Sequence, residues 1–116
     1  MARIIEIKKD LIPYSFDYES RGQNFKIKIK RFNLLEGVDE IRFDIYDEAG
    51  NIIVENYKAV YGIPLFFQFM KDIQGNFNLN LPDVYFIFTS VDPVEYPINF
   101  DNLETNVFLE VVDTDG

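Results

Sequence analysis

The stretch 40–67 constrains the fold more than any other part of this sequence. Its first arm, residues 40–46, alternates apolar and polar side chains, and that period of two is typical of a strand with one buried and one solvated face. Residues 47–51 then supply turn chemistry, because Asp hydrogen-bonds its own backbone and Gly adopts positive φ at no steric cost. The second arm, residues 52–60, is rich in β-branched side chains and ends before Pro64, which cannot donate to a ladder. The stretch therefore predicts a β-hairpin.

Five further segments have the alternation or the β-branched and aromatic composition of strands. They are residues 2–8, 14–19, 25–31, 84–91 and 105–112. The second and the third flank a Gly-containing turn and predict another hairpin. Segment 84–91 is almost continuously apolar, which predicts a strand that is covered on both faces.

The remaining segments predict connections. Residues 33–39 are expected to link the third strand to the central hairpin, residues 76–83 to form a weak strand or an extended loop, and residues 92–102, with two prolines, to form a long irregular loop. These elements fit one domain, residues 1–116, of the all-β class. We expect a small sandwich or barrel of about seven to eight mostly antiparallel strands with little helix.

Composition excludes several kinds of chemistry. The sequence has no Cys and no His, so it lacks the residues for disulfides, for cysteine or histidine zinc sites and for Ser-His or Cys-His catalysis. Carboxylate pairs remain as candidate acid–base groups, but carboxylates at turns are usually solvated turn formers. The pairs considered are Asp44 with Asp47 and Glu48, and Asp92 with Glu95. The terminal DTDG matches the start of a calcium loop but lacks the later ligands. We expect no catalysis, no cofactor and no metal.

The charge balance limits the partners. Twenty Asp and Glu against eleven Lys and Arg give a net charge of −9, which repels nucleic-acid phosphates and anionic membrane surfaces. No apolar run approaches the roughly 20 residues that span a bilayer, and the N-terminus lacks the apolar stretch of a signal peptide. We expect no nucleic-acid partner and no membrane span, and a protein that is kept in the cytoplasm or released from it by lysis as part of a particle.

A cationic stripe interrupts this acidic chain at Lys26, Lys28 and Lys30, which alternate with apolar residues along one predicted strand. In one interpretation the strand is a solvated edge strand whose lysines discourage association between sheets. In the other interpretation the stripe docks an acidic partner. The sequence leaves both open.

The aromatic content points to an interface. Twelve Phe and seven Tyr are more than a core of this size easily hides, and surplus aromatic side chains mark protein–protein contacts. The run 65–70 is either core or a hydrophobic anchor for a neighbouring subunit, whereas the apolar residues of the proline-containing loop 92–102 are harder to bury and favour an interface. The candidate interface residues are Phe66, Phe67, Phe69 and Met70 in the run, and Tyr96, Ile98 and Phe100 in the loop.

Three segments carry a resemblance to a known family. FDIYDEAGNIIVENYKAVYGIPLF resembles the central hairpin of the phage baseplate plug family, small proteins at the axis of contractile tails. IEIKKDLIPYSFDYES and INFDNLETNVFLEVVD are similar to the opening and closing segments of that family, which differs most from this chain between residues 67 and 97.

The resemblance implies a non-enzymatic structural role. It implies a place among the tube, hub and spike proteins of a phage or a tail-like bacteriocin, in several copies around the tail axis, where the chain seals or cements a junction by packing. It implies assembly in the bacterial host cytoplasm and location in the baseplate of the particle.

An alternative of another class is a β-sandwich module that binds carbohydrate or peptide. In that interpretation exposed tyrosines act as stacking platforms beside carboxylate acceptors. The tyrosines concerned are Tyr57, Tyr61, Tyr85 and Tyr96.

Overall fold

The computed structural model describes residues 3–35, 37–71, 74–92 and 94–113, without the side chains of residues 34 and 35. In these residues it contains seven strands and two single-turn 3-10 helices. The strands are β1 (Arg3–Ile5), β2 (Tyr14–Ser20), β3 (Gln23–Leu35), β4 (Val38–Tyr46), β5 (Ile52–Lys58), β6 (Val84–Ser90) and β7 (Val107–Asp113), and the 3-10 helices span Lys9–Leu11 and Phe67–Phe69. All pairs between these strands are antiparallel, so the predicted all-β class is confirmed.

Residues 14–58 form a four-stranded antiparallel meander in the order β2-β3-β4-β5. Its first turn holds Arg21 and Gly22 at positive φ, 54° and 73°, the backbone pattern of two-residue hairpin turns whose twist matches that of the flanking strands. At the turn between β4 and β5, Asp47 Oδ1 accepts a hydrogen bond from the Asn51 N–H at 2.8 Å. Both predicted hairpins are therefore confirmed, and the second is closed by the turn chemistry that the sequence predicts.

The connection between β3 and β4 is much shorter than predicted. β3 continues to Leu35 and β4 starts at Val38, so most of segment 33–39 is strand, while Glu36 lies outside the described residues. This long pairing places β3 between β2 and β4. The interpretation of the lysine-striped strand as an edge strand is therefore wrong, because alternation along a strand does not reveal how many neighbours the strand has.

The second sheet has three antiparallel strands in the order β1-β7-β6. Its β1 is shorter than the predicted first strand, whose Ala2 lies outside the described residues. The segment after β5 covers the open edge of β6, because the N–H groups of Gly62 and Leu65 donate to the carbonyls of Phe88 and Phe86 at 3.2 and 2.8 Å. This contact joins the edge of the second sheet to the chain that leaves the first.

The inward faces of the two sheets pack together and form the core. Phe43 of β4 and Phe88 of β6 have ring centroids 6.0 Å apart, and Tyr18 of β2 meets Phe86 edge-on at 5.1 Å. Both sheets contribute side chains without measurable exposure, among them Phe25, Ile27, Ile29, Ile41, Ile45, Val107 and Leu109. Each large apolar side chain contributes roughly 1.5–3 kcal/mol when it leaves water. Two separate hydrogen-bonded sheets around one core make the fold a sandwich rather than a barrel.

The outer faces of the two sheets differ in character. On the four-stranded sheet the outward positions of β3 and β4 include Lys28 and Arg42, the polar face that is usual for an antiparallel sheet with one side in water. On the three-stranded sheet the outward positions include the partly exposed Ile87 and Phe108. The prediction that segment 84–91 is covered on both faces is thus confirmed for its inner face, while its outer face is apolar and partly exposed.

Two connections have no strand of their own in their described residues. Segment 76–83 is an extended loop, and Arg21 fastens it to the first hairpin by donating to two of its backbone carbonyls at 2.9 and 2.8 Å. Segment 92–102 is irregular, as predicted, with Pro93 outside the described residues. Of the terminal DTDG, Asp113 alone is described, so the expectation about a calcium loop there lies outside the described residues.

Candidate protein interface

The aromatic run after Pro64 both fills the core and reaches the surface. Phe66 has φ 62°, a left-handed conformation that costs a bulky side chain roughly 1–2 kcal/mol. The run directs Phe66 and Met70 into the core, with 2% and 6% of their surface exposed, and leaves Phe67 and Phe69 at 55% and 41%. Some side chains of the run therefore belong to the core, and others are exposed. Phe66 and Met70 do not lie on the surface of this chain and leave the candidate interface; Phe67 and Phe69 remain in it.

β5 supports this exposed pair. The ring of Tyr57 lies 5.5 Å from that of Phe66 and meets the ring of Phe69 edge-on at 6.3 Å, within the range of favourable aromatic contacts. A groove of about 480 Å³ runs between β5 and the 3-10 helix, and Gln68 and Phe69 line it from the helix side. Phe69 therefore packs on an aromatic base and lines the groove, and Phe67 lies two residues before it in the same 3-10 helix.

The loop after β6 holds its apolar residues more tightly than the sequence suggests. Ile98 is buried, with 7% of its surface exposed, and so leaves the candidate interface. Tyr96 is partly buried, and its hydroxyl donates to Asp92 Oδ2 at 2.7 Å. That hydrogen bond raises the pKa of Tyr96, with burial and the negative charge of Asp92 acting in the same direction.

Phe100 is partly buried under two cations. The guanidinium of Arg31 lies 4.3 Å from the centroid of the Phe100 ring, and the ammonium of Lys9 lies 4.6 Å from it, both close enough for cation–π attraction. Asp39 joins the two, because Asp39 Oδ1 accepts from Arg31 Nε at 2.8 Å and Asp39 Oδ2 accepts from the Phe100 N–H at 3.1 Å. Phe100 is therefore covered by its own chain and offers less surface to a partner than its loop position predicts.

A second groove, of about 560 Å³, lies where the start of β4, the end of β5 and the loop after β6 meet. Val60, Tyr61 and Tyr96 line it, and 43% of the surface of Val60 is exposed. Glu40 lies at its rim, and a hydrogen bond from Arg42 lowers the pKa of the Glu40 carboxyl. The groove therefore combines apolar walls with a carboxylate that stays ionised at neutral pH.

The cationic stripe is matched by neighbouring carboxylates. Lys26 lies opposite Asp17 of β2, and Lys28 lies opposite Asp44 of β4. Lys30 forms an ion pair with Asp44 at 2.9 Å and also contacts the side-chain oxygen of Asn56. Lys30 therefore stabilises the pairing of its sheet by a cross-strand ion pair, whereas Lys26 and Lys28 keep the surface that an acidic partner would meet.

Most of the candidate catalytic carboxylates have structural partners. Asp44 is buried, with 2% of its surface exposed, and binds the Asn56 N–H at 2.7 Å as well as Lys30. Asp47 accepts the N–H of Asn51 and so is the turn former that the sequence predicts. In the described part of the chain no group of three or more His, Cys, Asp and Glu side chains is placed to hold a metal ion.

One exposed apolar surface is absent from the candidates that sequence reasoning selected. It is the outer face of the three-stranded sheet, which includes Ile4, Ile87, Phe108 and Val112. The signal that could have found it is the nearly continuous apolar character of segment 84–91, a pattern that predicts burial on both sides. The sequence did not show that the described chain covers only one of these sides.

Comparisons with known proteins indicate the family of this chain. The family model described as cyanophage baseplate Pam3 plug gp18 matches residues 2–114. Comparison with curated proteins gives no match, and neither does comparison with solved structures. No helix in the described residues has the length and apolar character to cross a membrane.

The class of protein follows from the matched family and the all-β fold: a small structural component of the phage baseplate. Within that class the chain belongs to the baseplate plug family described as cyanophage baseplate Pam3 plug gp18. The match extends over nearly the whole chain, so the resemblance carried by the central hairpin and its flanking segments is confirmed.

Proposed function

We propose that this chain seals or cements the junction of tube, hub and spike in a contractile-tail baseplate, in several copies around the tail axis. It does so through contacts with neighbouring baseplate proteins. Assembly takes place in the host cytoplasm, and the chain leaves the cell within a phage or a phage-tail-like particle. Many copies on one axis make weak individual contacts sufficient, because each bound copy raises the effective concentration of the next contact.

The observation that carries this proposal is the exposure of Phe67 and Phe69. An acidic domain with a formal charge of −9 keeps two phenylalanine rings in water at 55% and 41% exposure, at the expense of a left-handed Phe66. Complete burial of such a ring against a partner contributes roughly 1.5–3 kcal/mol. The strained backbone thus presents apolar surface that the isolated chain does not use.

The rival role as a carbohydrate- or peptide-binding module has weaker support. Of the tyrosines considered as stacking platforms, Tyr61 and Tyr96 line one groove. Tyr57 lies beside Phe69 in the other groove, and Tyr85 is on β6. Tyr61 and Tyr96 therefore share a groove, but Tyr57 and Tyr85 lie elsewhere, so the four tyrosines do not form one stacking platform.

The experiment that tests the proposal measures incorporation into particles. The native producer expresses the wild-type chain or the double variant Phe67→Ser with Phe69→Ser, and particles are separated from free protein by sedimentation and probed for this chain. We expect the double variant to lower the amount per particle by at least about tenfold, equivalent to about 1.4 kcal/mol of lost contact energy. Val91→Ser is the matched control, because Val91 is an exposed aliphatic residue in a loop, with 91% of its surface exposed.

Two results would count against the proposal. Absence of the wild-type chain from sedimenting particles would exclude a role in the baseplate, and glycan or peptide binding by the free chain would then support the rival role. Undiminished incorporation of the folded double variant would show that Phe67 and Phe69 are not the contact. Far-ultraviolet circular dichroism and urea unfolding of each variant separate loss of contact from loss of fold.

A further inference from the structure

The outer face of the three-stranded sheet differs in composition from the outer face of the four-stranded sheet. Register and alternation place seven side chains on this face: Ile4 of β1, Tyr85, Ile87 and Thr89 of β6, and Phe108, Glu110 and Val112 of β7. Five of the seven are apolar or aromatic, and of these Tyr85 also packs against the core. Antiparallel sheets with one solvated side usually carry polar residues there, as the four-stranded sheet of this chain does, so this face has the composition of a covered surface.

The described chain leaves this face partly exposed. Ile4 exposes 58% of its surface, and Ile87, Phe108 and Val112 are partly exposed. None of these four side chains belongs to the buried core or to the partly buried residues that pack against it. The face is therefore a second apolar surface, separate from the aromatic pair Phe67 and Phe69.

Glu110 lies at the centre of this face. It occupies the middle of the central strand, opposite Ile4 on one side and Ile87 on the other. One carboxylate oxygen accepts a hydrogen bond from the hydroxyl of Thr89 at 3.1 Å. No other hydrogen bond or ion pair to this carboxylate is seen in the described residues, and burying the charge without a cation opposite it would be strongly unfavourable. Glu110 therefore sets the chemistry of whatever covers the face.

A second copy of this chain does not meet that requirement. In a twofold contact through this face the same patch lies on both sides, so two Glu110 carboxylates would be brought together in an apolar contact. The face is also small: two strands of seven residues and one of three, at about 3.4 Å per residue and about 4.8 Å between strands, give on the order of 300 Å². A stable stand-alone interface buries about 800 Å² per partner. The area fits one contact among several within a larger assembly.

We infer that this face docks on an apolar surface of a different baseplate protein, and that this surface presents a Lys or Arg side chain to Glu110. The inference rests on the proposed function for the setting and adds the surface and the chemistry of the partner. An acidic chain favours a basic partner in its encounter as well, because opposite charges steer association. The apolar rim around Glu110 excludes water and strengthens the ion pair.

The first test places a photo-crosslinking residue on the face in complete particles. Phe108 is replaced by p-benzoylphenylalanine, which keeps an aromatic side chain at that position, and purified particles are irradiated and digested for mass spectrometry. We expect a crosslink to a different baseplate protein, within a few residues of a Lys or Arg. A crosslink to another copy of this chain, or none while the chain is present in the particle, would overturn the inference.

The second test reverses the charge. Glu110→Lys should lower incorporation into particles by at least about tenfold, whereas Glu19→Lys, an exposed charge reversal on β2, should change it less than twofold. Exchange of the crosslinked basic residue for Glu in the partner should restore incorporation of the Glu110→Lys chain. Equal incorporation of both folded variants would contradict the inferred ion pair.

The two tests distinguish this inference from the proposed function. If the wild-type chain is absent from particles, both fail together. If the chain is present and Phe67 and Phe69 are required, but position 108 gives no crosslink to another protein, the inference alone fails.

Discussion

The carboxylate of Asp44 on β4 accepts a hydrogen bond from the backbone N–H of Asn56 on β5 at 2.7 Å. The two strands change register at this point, so that Glu55 and Asn56 together face the single residue Asp44. This is a β-bulge, and Asn56 takes the left-handed φ of 58° that Asn tolerates better than most residues. A buried carboxylate therefore secures the extra residue in β5.

The bulge decides which residues of β5 reach the core side. In an uninterrupted strand, Val54 and Tyr57 would point to opposite faces. The inserted residue brings both inward, so that Val54 is buried and Tyr57 packs on Phe66 and Phe69. Asp44 thus contributes to the aromatic base beneath the proposed contact surface without touching it.

Removal of the Asp44 carboxylate should destabilise the fold strongly. We expect Asp44→Ala to lower the free energy of unfolding by about 2–4 kcal/mol, because it leaves the ammonium of Lys30 and the Asn56 N–H without their buried acceptor. Urea unfolding followed by circular dichroism measures the change. Asp17→Ala, which removes an exposed carboxylate opposite Lys26, should cost less than about 1 kcal/mol. Equal losses in the two variants would show that Asp44 does not secure the bulge.

Replacement of two neighbouring phenylalanines by alanine should change the free energy of unfolding by very different amounts. Phe66→Ala removes a ring that is 2% exposed and should cost about 3–5 kcal/mol of stability. Phe67→Ala removes a ring that is largely in water and should change stability by less than about 1 kcal/mol. Chemical unfolding of both variants gives the comparison. A large loss for Phe67→Ala would mean that this ring packs within its own chain and is not free for a partner.

The cover over Phe100 depends on Arg31. Arg31→Ala removes a cation–π contact and the ion pair with Asp39, and we expect a loss of about 1–2 kcal/mol. Amide hydrogen exchange at Phe100 should accelerate, because Asp39 loses the guanidinium that orients it. Lys28→Ala removes a cation from the middle of the sheet face and serves as the control that leaves this exchange rate unchanged. Unaltered protection at Phe100 in Arg31→Ala would refute the coupling.

Glu104 should make stability depend on pH. Burial raises the pKa of its carboxyl above the ordinary value of 4.5, and its buried Oε2 has no hydrogen-bond partner in the described chain. A folded pKa above the unfolded one means that the folded state binds the proton more tightly, so this contribution to stability falls as the pH rises from about 4.5 through the folded pKa. The stability of Glu104→Gln relative to wild type should therefore increase as the pH rises through this range.

The measurement is thermal unfolding of both proteins between pH 4 and pH 7. Because other carboxylates titrate in the same range, the difference between the variant and wild type isolates Glu104. Glu19→Gln, at an exposed position, should show a difference that does not vary with pH. A constant difference for Glu104→Gln as well would contradict the raised pKa.

Sequence patterns predicted the hairpins well, because a hairpin depends only on two neighbouring strands and the turn between them. The alternation in 40–46 and the Asp-Gly chemistry of 47–51 produced the hairpin that the structure contains, and 14–19 with 25–31 produced another. Strand limits were less accurate. The link 33–39 is mostly strand, because cross-strand hydrogen bonds to a neighbour extend β3 beyond its alternating part.

The candidate interface was predicted only in part. Residues 65–70 and 92–102 do contain exposed aromatic or apolar side chains, but the sequence does not reveal which ones are buried. Basic side chains also cover aromatic rings that composition alone counts as surplus: they lie over Tyr18, Phe32, Phe77 and Phe100. Except for Lys30 over Phe32, these pairings join residues ten or more positions apart in the chain, so no local pattern predicts them.

By itself the sequence determined the class and the hairpins, because period-two alternation and turn chemistry act over a few neighbouring residues. Its composition determined the net negative charge, and its similarity over residues 2–114 determined the family. The tertiary structure decided the rest. It placed β3 inside its sheet, turned Phe66 inward and Phe67 outward through one left-handed residue, and used buried Asp44 to bring Tyr57 to the core side. It also left the outer face around Glu110 partly exposed. These outcomes depend on which distant segments lie side by side, and that is settled by burial and hydrogen bonding across the whole fold rather than by local propensity.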